Sequence, residues 1–273
     1  MLDDAFGLYR ANIRTVAVVS LLTVFPVALV VGVAQVFYTR GLLALVPVLG
    51  EGTGDLAGFD SLALFALASN VTAPLFWVAR VYLACALLRA AGAFMSDDPP
   101  GVRGVLAVGW RRFLTYALVS LVLVFSAGVL GLFFIVPGVI FAVRFALAPA
   151  IAAVEGAGFE TAFRRSWQLT SGYAWRVIGF FVFLSLFTLV LETAVTSPSI
   201  VRQVMVSVQN PEAVFEPVSA GWKTFEGLLS AASVALVMPF IEFAWFFFYA
   251  DLRSRREGMD LVARAALLGG RRR

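Results

Sequence analysis

Five charged side chains fall inside long apolar runs of this 273-residue chain: Arg80, Arg144, Glu192, Glu226 and Glu242. In hydrocarbon a charge costs several kcal/mol unless it is paired, hydrated or able to reach the headgroups. Arg80, Glu192 and Glu226 lie near the ends of their runs, where long side chains can carry the charge to water. Arg144 and Glu242 lie deeper. Two kinds of chemistry suit them: a buried ion pair that fixes the packing of two helices, or the wall of a polar cavity for an anionic headgroup, a solute or a proton. Glu192 and Glu226 sit at the opposite depth from Glu242, so no pair of carboxylates is placed for acid–base work.

Other catalytic chemistry has little to build on. The chain has no histidine, which removes the usual general base at neutral pH and the commonest metal ligand. Its single cysteine, Cys85, excludes an internal disulfide. These absences point to a non-enzymatic protein without a metal or cofactor.

The elements that carry these charges are written in the composition. Apolar and aromatic residues make up 61% of the chain and charged residues 14%, against about 25% charged in soluble domains. A crossing of a bilayer core takes about 20 apolar residues, and such runs recur, so the sequence predicts an all-α polytopic bundle of six transmembrane helices. The first run is Thr15 to Tyr38, with a kink expected at Pro26; the acidic start, Met1 to Asp4, and the length of this run argue against a cleaved signal. A loop, Gly41 to Asp60, precedes a second helix from Ser61 across to Leu83, continuing as an amphipathic extension to Met95. Between Arg112 and Glu155 lie 42 residues with one charge, read as a helical hairpin with its turn at Val136-Pro137-Gly138 and spans over Leu114–Val136 and Val139–Val154. The fifth and sixth spans are Val177–Thr196 and Leu228–Ala250.

Basic residues orient these spans. With Arg80 and Arg144 in the membrane and Arg40, Arg202 and Lys223 outside, the remaining 16 of 21 basic residues face one side. That side is expected to be the cytoplasm, with both termini there and the protein in the cell membrane.

Short amphipathic stretches enter the hairpins. Leu2, Ala5, Phe6, Tyr9 and Ile13 share one helical face; so do Val102, Val105, Leu106, Gly109 and Phe113, and again Phe159, Ala162, Phe163 and Trp167. Arginines lie behind them, as in helices that rest in the headgroup region. Gly101, Val105, Leu106 and Trp110 match the spacing of Gly158, Ala162, Phe163 and Trp167. One membrane domain over 1–273 is therefore expected, organised as hairpins 1–95, 96–154 and 155–250 with a basic tail from 251 to 273. Trp110, Arg111, Arg112, Arg164, Arg165, Trp167, Trp175 and Arg176 are the candidate interfacial contacts to lipid, anionic lipid included, or to a partner. The interface accounts for this mixture of arginine and aromatic residues better than nucleic-acid binding does. Arg271-Arg272-Arg273 would add to the attraction of anionic lipid. Gly227, Ala231 and Ala235 form a small-residue stripe suited to close helix packing within the chain, or between two copies of it.

Two segments carry a family resemblance. The run Leu132-Phe133-Phe134-Ile135-Val136-Pro137-Gly138, with Arg144, Ala148-Pro149, Glu155-Gly156, Ala162-Phe163-Arg164-Arg165-Ser166-Trp167 and Trp175-Arg176, resembles the membrane domain of glycerophosphoryl diester phosphodiesterases and related bacterial six-span proteins. The stretch Tyr249 to Leu261 is similar to that family's ending. The resemblance implies fold, membrane location and a lipid-related setting. In some relatives a soluble barrel carries the catalysis; only 23 residues follow Ala250 here, so phosphodiesterase activity is not expected of this chain. The leading expectation is a membrane scaffold or lipid-interacting module. The alternative is a small transporter or permeation protein using Arg144 and Glu242.

Overall fold

A computed structural model describes residues 2–30, 57–96, 98–209 and 220–258. Among them the chain is almost wholly helical, without a strand, and six helices are long and apolar enough to cross a membrane. The protein is a multi-pass membrane protein. In order, the helices are α1 (Leu2–Ala11), α2 (Ile13–Val30), α3 (Ala57–Ala91), α4 (Val102–Leu106), α5 (Trp110–Phe133), α6 (Ile135–Phe145), α7 (Ala148–Glu155), α8 (Phe159–Thr170), α9 (Ala174–Gln209) and α10 (Ala220–Glu257). Most of the loop expected over Gly41 to Asp60, the region around Pro211 and the final arginines lie outside the described residues.

The chain forms two compact units: residues 1–16, 84–186 and 239–273 make the first, residues 17–83 and 187–238 the second. In the second unit Ala231 and Ala235 of the small-residue stripe are buried, together with Val234 and Val237, and Gly227 is half-buried. There Trp222 donates to Glu226 at 2.7 Å and Arg202 stands over the Trp222 ring. The second unit also holds Arg80, which is exposed.

The first unit holds the arginine-rich helix ends. Its core contains Leu87, Ile151, Phe243, Phe248, Tyr249 and Leu252, all essentially inaccessible. Rings lock its interior: Phe180 stacks on Phe248 at 4.1 Å and meets Trp245 edge-on at 5.0 Å, and Phe94 meets Phe243 at 5.9 Å. The outward faces of α5 and of the part of α9 in this unit are apolar; Val124, Phe125, Phe181 and Leu186 are all more than half exposed. In water that pattern would be an aggregation surface; in a bilayer it is the lipid contact.

Several elements depart from the sequence reading. The end of α3 is not an amphipathic extension, since Ala84 to Leu88, Ala90 and Ala91 are buried; only Arg89 breaks the run, and it reaches out to donate to the carbonyls of Gly104 and Val105. Those carbonyls end α4, and the chain turns at Ala107–Gly109, so Gly109 and Phe113 do not continue the face begun by Val102 and Val105. A glycine with extended backbone starts α5 instead, and the span begins at Trp110, four residues earlier than expected.

The hairpin turn lies at Phe134 (φ −146°, ψ 92°) rather than at Val136-Pro137-Gly138. Pro137 stands in the first turn of α6, where its missing N–H costs no helical bond. Gly138 marks the close approach of α5 and α6: a Cβ there would lie 2.6 Å from the Gly131 nitrogen. The fourth span is not continuous, breaking at Ala146–Leu147 with Pro149 in the first turn of α7. The fifth and sixth spans extend further than expected, α9 to Gln209 and α10 to Glu257. Helix α10 thus carries its last turn, with Arg255 and Arg256, into the segment expected to be a tail.

Candidate functional site

Helix α8 organises the first candidate site. Gly158 in an extended conformation starts it, Glu160 occupies its first turn, where a negative charge suits the helix dipole, and Gly172 at φ 86° follows its end. Its buried residues are Ala162, Ser166, Leu169 and Thr170. That is an i, i+4, i+7, i+8 stripe; of the expected apolar face Phe159–Ala162–Phe163–Trp167 it shares Ala162, while Phe159 and Trp167 are exposed. The large aromatic residues of α8 lie outside this stripe. The small ones fit, and their hydroxyls do further work: Ser166 and Thr170 donate to the main-chain carbonyl of Arg144 at 2.9 and 3.1 Å. They satisfy a backbone acceptor beside the α6–α7 break, which a membrane-embedded chain cannot leave bare.

Phe159, Phe163 and Trp167 line an open groove of about 540 Å³ with Phe145 of α6, and Glu160 and Arg164 stand in its walls. Ring centroids are 5.1 Å apart for Phe145 and Phe163, and 5.7 Å for Phe145 and Trp167. The Arg144 guanidinium sits 4.9 Å from the Trp167 ring centre and donates to the Ser171 hydroxyl at 3.2 Å. Trp167 is half exposed, so the groove is an accessible apolar trough with arginine at its edge.

Glu242 has different surroundings. It is 9% exposed on α10 and lines a cavity of about 210 Å³ with Tyr116 and Ser120 of α5, Pro149 of α7 and Trp245 one turn along. Tyr116 and Cys85 lie near its carboxyl. Arg144 is not among the residues lining this cavity. The two deep charges thus belong to two separate sites within the first unit.

The other arginines singled out in the sequence divide by role. Arg165 pairs with Glu155 at 2.9 Å and with Glu257, and Arg253 bonds Glu257 at 2.9 Å and lies 3.7 Å from Glu155. Tyr249 donates to Glu155, which ties the ends of α7, α8 and α10 into one network. Arg176 pairs with Asp251 at 3.1 Å. Arg112 packs on Gly156, whose φ of 66° and missing Cβ make room for the guanidinium. Arg111, Arg164, Trp110 and Trp175 are exposed; Trp175 is 85% accessible, open to the surroundings as an interfacial residue is.

Sequence reasoning missed Glu155, Asp251, Tyr249, Tyr116 and Ser120 as site residues. The face Ala162–Ser166–Leu169–Thr170 was detectable, since small and hydroxylated residues at this spacing mark a close helix contact. No local signal singles out Phe145 or Tyr116, because an aromatic residue in a span is ordinary. Among the described residues no group of three histidine, cysteine or acidic side chains is placed to hold a metal ion. Comparison with family models, curated proteins and solved structures gives no match.

Proposed function

We propose that this protein is a non-enzymatic membrane module that engages lipid, and anionic lipid in particular, through the groove on α8. The observation that carries this reading is the row of Phe145, Phe159, Phe163 and Trp167 with Arg144 over the indole and Arg164 in the groove wall. An acyl chain or glycerol backbone matches the apolar floor, while a phosphate matches the guanidinium groups, which bind phosphate through charge-assisted hydrogen bonds. Basic residues near a charged bilayer surface contribute about 1 kcal/mol each, so the exposed Arg111 and Arg164 strengthen the preference. The expected cytoplasmic placement of the arginine-rich ends supports it too, as anionic lipid is concentrated in that leaflet. The resemblance to phosphodiesterase membrane domains gives the same setting. Scaffolding of a protein partner would use the same exposed surface.

The test is lipid retention. Protein purified from mixed micelles should carry phosphatidylglycerol in preference to phosphatidylcholine, measured by mass spectrometry of the intact complex. Trp167→Ala with Arg164→Ala should abolish the preference while the protein still unfolds in one cooperative transition. Equal retention of both lipids by the unaltered protein would overturn the reading.

A further inference from the structure

The Glu242 cavity has features that lipid engagement does not explain. A carboxyl 9% exposed is held in the wall of a mostly apolar space of about 210 Å³ on a membrane-spanning helix. Tyr116 and Ser120 stand one turn apart on α5, so both hydroxyl-bearing side chains enter the space from one helix face. Trp245 forms another wall, and its indole is held by Phe180 at 5.0 Å and Phe248 at 6.0 Å, both edge-on. The cavity also borders the break in the fourth span, through Ala146 and Pro149. Pro149 itself brings no N–H to this wall.

We propose that this cavity is a binding site for a small organic cation of the alkylammonium class. The carboxylate supplies the opposite charge, and the Trp245 and Tyr116 rings supply faces that attract a cation. Hydroxyls of Tyr116 and Ser120 accept from any N–H. A bare calcium or magnesium ion wants six or more oxygen ligands, which a wall built mainly of carbon does not offer; an alkylated ammonium needs few hydrogen bonds and fills an apolar space. The site is separate from the α8 groove, and the inference does not depend on the lipid reading.

Thermal unfolding of the detergent-purified protein, titrated at constant ionic strength with tetramethylammonium, ethylammonium or sodium chloride, tests it. One of the two ammonium ions should raise the melting temperature with saturation, and sodium should not. Glu242→Gln should abolish that effect, and Ser120→Leu, which fills the cavity but keeps the carboxyl, should abolish it independently. Glu192→Gln, which removes a carboxylate elsewhere in the spans, should leave it intact. On the unaltered protein, the same ammonium ion should slow modification of Glu242 by a hydrophobic carbodiimide at least fivefold, read by peptide mass spectrometry. The proposal is overturned by absence of a saturable ammonium effect, by an equal response to sodium, by its survival in both cavity variants, or by unprotected carbodiimide labelling.

Discussion

At Gly138 one hydrogen atom decides how two membrane helices meet. A Cβ at this position would stand 2.6 Å from the nitrogen and 2.7 Å from the Cα of Gly131, both backbone atoms that cannot turn aside as a side chain can. Gly138→Ala should therefore destabilise the protein by roughly 1–3 kcal/mol, the usual cost of overpacking, visible as a lower melting temperature in detergent. Gly131→Ala should be tolerated, because a Cβ there meets nothing within 4 Å. Because alanine is the better helix former, a loss at Gly138 alone would have to come from the close approach, and equal loss in both variants would show that the contact with Gly131 does not set the effect. Arg144 offers a second test at this scale. Its guanidinium is engaged by Ser171 and Trp167, so a double-mutant cycle of Arg144→Ala with Trp167→Ala should show coupling of about 0.5 kcal/mol or more. The cycle with Glu242→Gln should be additive; strong coupling there would restore the ion pair considered from sequence.

Among elements, the ends of α7, α8 and α10 are joined through Glu155, which faces Arg165, Arg253 and the Tyr249 hydroxyl and is 17% exposed. Losing its charge removes several charge-assisted contacts at once, so Glu155→Gln should cost about 1–2 kcal/mol once partial solvent screening is allowed for. Arg255, 47% exposed and paired with Asp251 one turn away, should cost only about 0.3–0.5 kcal/mol when changed to alanine. Comparing the two melting curves checks the network: matching losses would mean that Glu155 is no more than another surface pair. None of these connections was legible beforehand. Helix existence follows from runs of apolar residues, and the crossing elements were read that way. Breaks follow from tertiary contacts: α4 ends where Arg89 takes its carbonyls, and α6 ends where hydroxyls from α8 replace helical donors. Likewise the apolar face of α8 was visible, but the small and hydroxylated stripe that packs inward was not read beside it.

For the molecule as a whole, arginine placement gives a topology that can be measured. Cys85 is fully buried, so the native thiol should give little background with a water-soluble maleimide. A cysteine in place of Gly158 should be protected in intact cells and labelled after permeabilisation, while one at Gln209 should be labelled from outside. Labelling of Gly158→Cys in intact cells would reverse the orientation and remove the support that leaflet composition gives to lipid engagement. The two deep charges were legible in sequence as sites of interest. Their surroundings were not, because Tyr116, Ser120 and Trp245 line the Glu242 cavity from positions that only the folded first unit brings together.

The carbonyl of Arg144 also bears on how the chain is made. Its hydroxyl donors, Ser166 and Thr170, lie 22 and 26 residues further along the chain. During synthesis the broken span emerges first, and its acceptor has no partner from α8 until that helix has been translated. Release of this span into the lipid should accordingly wait for α8, so a ribosome stalled before Ser166 should leave the fourth span beside the insertion machinery, and one stalled beyond Thr170, with α8 clear of the exit tunnel, should free it.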